Sequence, residues 1–195
     1  MPMTAPFCLI LIFALCACGP DLSRYETLKT PRISDRPDER MLVIEGDGDP
    51  DLWMKGAMKE LFSAWYKLKR EYGLPDAAPK ARFPNTFEKT PKSTWHGEVG
   101  LPVPDTLESH AFTNRGRLRL ASWAYGPTAE ILHLGPYAKE VESIARLKAF
   151  ITDQGYRIAG PHEEEYLRGP GMFGKGNPDK YLTLIRYPVA RAASR

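Results

Sequence analysis

The feature that most constrains this chain is an order of elements that occurs twice. Residues 41–44 are Met-Leu-Val-Ile, a strand, followed by Asp49-Pro50-Asp51, a helix start with cap, proline and early acid in sequence. Met54, Met58, Leu61, Trp65, Leu68 and Tyr72 then recur at helical steps until Gly73 and Pro75. Residues 131–134 begin a second copy with Ile-Leu-His-Leu, then a Gly135-Pro136-Tyr137 turn and a stripe of Val141, Ile144, Leu147 and Ile151 ending at Gly155. Each copy finishes on a strand ending in Pro-Val: Trp95 to Val103, and Tyr181 to Val189. Laying Pro102 on Pro188 puts Trp95 on Tyr181 and Glu98 on Leu184. The expectation is an α+β domain of duplicated strand–helix–strand–strand modules, with pseudo-twofold symmetry and a central ligand cleft. The modules are expected over 40–104 and 112–190, with Arg117–Tyr125 as a half-exposed strand opening the second.

The N-terminus reads as a targeting segment. Phe7 to Ala17 is an unbroken apolar run. As a helix it would rise about 16 Å, against about 30 Å for a hydrocarbon core. That length suits a signal-peptide core. The run closes on Leu15-Cys16-Ala17-Cys18-Gly19, which resembles a bacterial lipoprotein box, so Cys18 is the expected lipidated residue and 1–17 the removed signal peptide. All three cysteines lie in this segment, leaving no disulfide and no thiolate metal site. Residues 18–39 read as a tether. The alternative is an ordered arm in which Tyr25, Leu28 and Ile33 dock. The implied location is a membrane-anchored lipoprotein of the bacterial envelope facing the periplasm.

Charge excludes little but is informative. Lys plus Arg is 27 and Asp plus Glu is 24, a net charge of +3. That is too weak and too evenly spread for a nucleic-acid partner. Gly169 to Gly176 nearly spells a phosphate loop, but Gly176 stands where the magnesium-binding hydroxyl belongs. Asp47, Asp49 and Asp51 mimic a calcium loop, but Leu52 and Met58 stand where glycine and glutamate are needed. The histidines show no zinc spacing, so neither metal nor cofactor is expected.

The segment richest in chemistry is His162-Glu-Glu-Glu-Tyr-Leu167. In a strand, His162, Glu164 and Tyr166 share one face, and Glu163, Glu165 and Leu167 the other. The pattern alone leaves open which glutamate faces a cleft, and on that pattern a solvated edge strand with three exposed glutamates is the favoured reading.

Ala129 to Tyr137, Gly155-Tyr156, Glu164-x-Tyr166-Leu167 and Ile185 to Val189, with Val43 to Pro50 in the first half, resemble the GyrI-like small-molecule-binding domain over residues 40–190. The resemblance implies a ligand cleft between modules, in a family that includes regulator effector domains, a gyrase inhibitor and hydrolases of strained rings. Effector-binding members carry a glutamate where this chain has Leu184, and the pseudo-symmetric position is Glu98. Hydrolase-type members match at Glu164, which would activate water, and Tyr137 and Tyr166 match aromatic positions. Glu165 departs from an apolar position that the family places on the helix-packed face. SOUL haem domains look similar too, and His133 would be the axial candidate, though a packed strand histidine is the plainer reading.

The resulting expectation is a small hydrophobic or amphipathic ligand held by Trp95, Tyr137 and Tyr166 as walls, with Glu164, Glu98 and His133 near it. The rival readings are hydrolysis with Glu164 as general base, and a structural envelope protein with a cleft filled by its own side chains.

Overall fold

The computed structural model describes residues 23–84, 86–108, 116–170 and 176–193. The signal peptide, Cys18, His110 and the middle of the 169–176 loop lie outside the described residues. The strands are β1 (Arg32–Arg36), β2 (Glu39–Asp47), β3 (Lys80–Phe83), β4 (His96–Pro102), β5 (Arg119–Trp123), β6 (Gly126–Leu134), β7 (Tyr156–Ile158), β8 (His162–Arg168) and β9 (Leu182–Arg191). The helices are α1 (Pro50–Tyr72) and α2 (Glu140–Asp153).

The local signals act as expected. The Asp49 carboxylate accepts from the Asp51 amide at 3.0 Å, Pro50 opens α1, and Gly73 closes it in the left-handed region at φ 65°. Capping is therefore what the aspartate run does, and Lys92 bridges Asp49 and Asp51 from outside. In α2 the inward face is Glu140, Ser143, Ile144, Leu147 and Ile151, whereas Val141 is 60% exposed. The apolar stripe is thus one position out of phase with the expectation at its N-terminal end.

Eight strands form one antiparallel sheet in the order β1-β6-β9-β8-β3-β4-β2-β5, and β7 pairs with the far end of β9. Both helices cover one face. Leu42, Ile44, Val99 and Leu101 pack with α1, and Ala129, Ile131, Ile185 and Tyr187 with α2. The sheet curls into a half-barrel. Chain reach explains the curl. β1 and β2 lie near opposite ends of the order yet only residues 37 and 38 join them, a span of about 11 Å at most. Residues 124 and 125 join β5 to β6 under the same limit. The two crossovers meet, with the Tyr125 amide donating to Asp38 Oδ1 at 3.0 Å.

The duplication is a register symmetry. Pro102 pairs with Met41 and Glu98 with Arg82. In the other half Pro188 pairs with Thr128 and Leu184 with Glu165. Where the halves meet, Lys80 pairs with Glu165, Arg82 with Glu163, and Ala81 with Glu164. The first two pairs exchange under the pseudo-twofold, so its axis passes between Ala81 and Glu164.

Two expectations are corrected. β5 closes the first half by pairing with β2 rather than opening the second. The stretch expected as a tether is an ordered arm from Ser23 on. A 3-10 turn at Ser23–Lys29 buries Leu28 against Leu132, Leu182 and Leu184, Tyr25 packs beside it, and β1 pairs with β6.

On the face away from the helices, charge is buried at the seam. Arg186 is 3% exposed and contacts Glu163 at 3.2 Å, Glu130 at 3.1 Å and Glu165 at 2.6 Å. Arg82 donates to Glu163 at 2.8 Å and stacks on Trp123 at 4.2 Å and Tyr125 at 4.7 Å. Burial works against the Arg186 charge, but the three carboxylates outweigh it and raise its pKa. Arg186→Met leaves those carboxylates uncompensated and is expected to lower unfolding stability by about 3–5 kcal/mol in urea titrations. Arg32→Met, at a half-exposed side chain, is expected to change it by under about 1 kcal/mol.

Candidate functional site

Glu164 lies on the symmetry axis and faces the helices. Its Oε1 meets His162 Nε2 at 2.8 Å, and its Oε2 accepts from the Tyr166 hydroxyl at 2.7 Å. These three share a face because they alternate along β8. The first residue of α2 brings a second carboxyl, Glu140, against Glu164. The two carboxyls divide the charge. Burial first, and then the adjacent Glu164 charge, push Glu140 up to about 9. Burial raises Glu164 as well, but the His162 imidazole, the Tyr166 hydroxyl and the Glu140 carboxyl hold it below its ordinary value. The pair therefore divides its charge unequally, with Glu164 the more readily ionised member.

Aromatic rings frame the pair. Tyr137, 38% exposed, meets the Tyr166 ring at 5.7 Å and the Tyr181 ring at 5.2 Å. On the other side, Phe87 from the 84–94 segment stacks on His162 at 4.6 Å and meets Trp95 at 5.5 Å, while Tyr187 meets His162 at 5.1 Å. Three covered polar atoms here, Glu140 Oε1, His162 Nδ1 and Tyr187 Oη, have no hydrogen-bond partner among the described residues, and Thr183 lies against Glu140. Among the described residues, Arg36, Arg40, Trp53, Trp123 and Tyr125 carry similar unmatched atoms elsewhere, but only here do they lie beside a carboxyl pair.

Of the residues expected at a site, Glu164, Tyr137 and Tyr166 are brought together, and Trp95 reaches them through Phe87. Glu98 is on the opposite face and ion-paired with Arg119, which also holds Glu45. His133 is buried with Nδ1 at 3.0 Å from Ser143 Oγ and Nε2 at 3.2 Å from the Pro136 carbonyl, so both ring nitrogens are engaged and neither is free for iron. Glu165 is not on the helix-packed face. It points away from the helices onto Arg186. Glu140 went unrecognised, although its position carried a signal: it is four residues before Ile144 and so a polar residue on the apolar stripe. Phe87, in an irregular segment, carried none.

Solved structures resemble this fold. A hydrolase from Listeria innocua superposes with a TM-score of 0.73 at 20% identity, covering 87% of this chain and 96% of its own. An uncharacterised conserved protein from Listeria innocua gives 0.72 at 22%, covering 87% and 98%. The C-terminal domain of EcmrR gives 0.61 at 15%, covering 84% and 98%. The fold is GyrI-like. No family model matches the sequence, and no curated protein matches it closely enough to count as a relative.

The carboxyl pair makes stability depend on pH. Glu140 has its folded pKa raised, so the stability it contributes is complete below about 4.5 and is lost as pH rises toward about 9. Glu140→Gln removes that slope. Its melting temperature, relative to the unmodified protein, is expected to be higher at pH 9 than at pH 5. Parallel melting curves at the two pH values would contradict the shift.

Proposed function

We propose that this protein binds a small hydrophobic or amphipathic molecule at the helix-side seam, against Tyr137, Tyr166 and Tyr181 and above the Glu140–Glu164 pair. The observation that carries this is the group of polar atoms around Glu164 left unpartnered among the described residues, on Glu140, His162 and Tyr187, next to a tyrosine wall opened by Tyr137. The rings take the apolar body and the protonated Glu140 donates to its polar end. Native mass spectrometry of the full chain from its own host, before and after denaturation, is expected to release a bound molecule. Glu164→Gln and Glu140→Gln are expected to lower its occupancy at least tenfold, and unchanged occupancy in both would sink the assignment.

The opposed pKa shifts favour a second reading, hydrolysis of a strained or electrophilic compound. Glu164 takes a proton from water as the oxygen bonds to the electrophilic carbon. Glu140 gives its proton to the atom that leaves with the bonding electrons. Under this reading Glu164→Gln abolishes turnover while binding persists, and turnover rises and falls with pH. Binding without turnover at any pH returns the weight to the first.

Residues 1–17 then serve as a lipoprotein signal, with Cys18 lipidated and the domain facing the periplasm. The apolar run from Phe7 to Ala17 supports this. Ser23 already belongs to the folded arm, so residues 19–22 alone separate lipid from domain, holding it close against the membrane. Labelled palmitate is expected to enter the protein and to be lost in Cys18→Ala.

A further inference from the structure

The sheet face away from the helices carries a separate cleft of about 760 Å³, between the N-terminal arm and the segment that follows α1. That volume suits a small molecule. Its lining is divided. Tyr25, Leu28, Leu167 and Leu184 form an apolar part. Arg32, Arg36, Lys80 and Arg186 form a charged part with Glu39, Asp76, Glu130 and Glu165.

The carboxylates of the polar part are already engaged. Glu130 accepts from Arg32 Nε at 2.9 Å, from Arg186 Nε at 3.1 Å and from Ser34 Oγ at 3.4 Å. Glu39 holds Arg36 at 3.0 Å and also Lys80, and Glu165 holds Arg186 at 2.6 Å. Cations and carboxylates in the lining balance at four each, Asp76 being held by Lys69, and the unmatched donors lie at the arm. Arg36 Nε is covered and has no hydrogen-bond partner among the described residues, and the Arg32 side chain is 51% exposed beside Glu130. Engaged carboxylates beside these arm arginines select an acceptor-rich, anionic group there. The leucines beside it select an apolar tail.

We propose that this cleft binds an amphiphile with an anionic head, a carboxylate or a phosphate, its head on Arg32 and Arg36 and its chain against Leu28, Leu167 and Leu184. Tyr166 lines this cleft as well as the first site, but the carboxyl pair itself lies on the other face, because neighbouring residues of β8 point to opposite faces. Tyr25, Leu28, Arg32 and Arg36 of the arm form part of its wall, so an edge strand also serves as a recognition element.

The test is calorimetric titration of the full chain in a nonionic detergent. The probes are hexanoate and hexyl phosphate, which stay monomeric, with hexyltrimethylammonium as the control. Saturable binding of at least one anion is expected. Tighter hexanoate identifies a fatty-acid type of ligand, and tighter hexyl phosphate a phosphate-headed lipid. Arg36→Gln and Arg32→Gln are each expected to weaken binding at least tenfold. Glu140→Gln and Glu164→Gln should leave it unchanged. Arg32→Gln keeps the test valid if Arg36→Gln fails to fold, since the Arg32 side chain is half exposed. The proposal is overturned if neither anion saturates, if the cation binds equally well, if Arg32→Gln binds normally, or if inorganic phosphate alone binds as tightly as hexyl phosphate.

Discussion

The Arg186 guanidinium lies beneath the sheet with Glu130, Glu163 and Glu165 around it, and Glu163 passes the connection on to Arg82. These side chains come from β3, β6, β8 and β9, so the network holds the second half to the first. Desolvating so many charges is costly, and the geometry offsets it only when every member is present. The network also fixes register. Sliding β8 by one residue against β3 would turn Glu163 and Glu165 to the helix side and strand Arg82 and Arg186 without partners. The arm and the crossovers then add to this centre, Arg32 and Arg36 on Glu130 and Tyr125 over Arg82.

Much of this architecture was legible because it rests on short-range chemistry. Asp49-Pro50 and Gly73 state the limits of α1, and alternation in 162–167 correctly separates the faces of β8. The Pro-Val echo finds the two equivalent central strands, β4 and β9. What escaped were pairings set by chain reach and not by composition. Arg117 to Tyr125 has the same local character whether it opens the second half or completes the first. Only the brevity of the following connection, together with the curl of the sheet, decides it. The arm was legible only as an alternative, because a single well-buried leucine in a polar stretch has no period to detect.

The site divides in the same way. Glu164, Tyr166 and Tyr137 stand in recognisable local patterns, and the fold gathers them. Glu140 is conspicuous only when the helix phase is known to within one residue, and the exposed Val141 shifted that phase. The carboxyl surplus at 163–165 resolves by face. One member joins a histidine and a tyrosine among aromatic rings, and its neighbours on either side neutralise arginines. Adjacent glutamates thus have opposite duties, set by alternation and by what the next strand presents.

The exchange of edge strands has a consequence for folding. β1 precedes the first half but pairs in the second, and β5 precedes the second but pairs in the first. Each repeat therefore lends its leading strand to its twin. A single repeat made alone would expose a bare sheet edge and carry a loose strand suited to fill it. Two copies would complete one another by reciprocal exchange, in the manner of a domain-swapped dimer. In the joined chain that exchange is internal, so neither repeat is complete until the other has formed. The molecule is thereby committed to acquiring its two halves together in one cooperative transition.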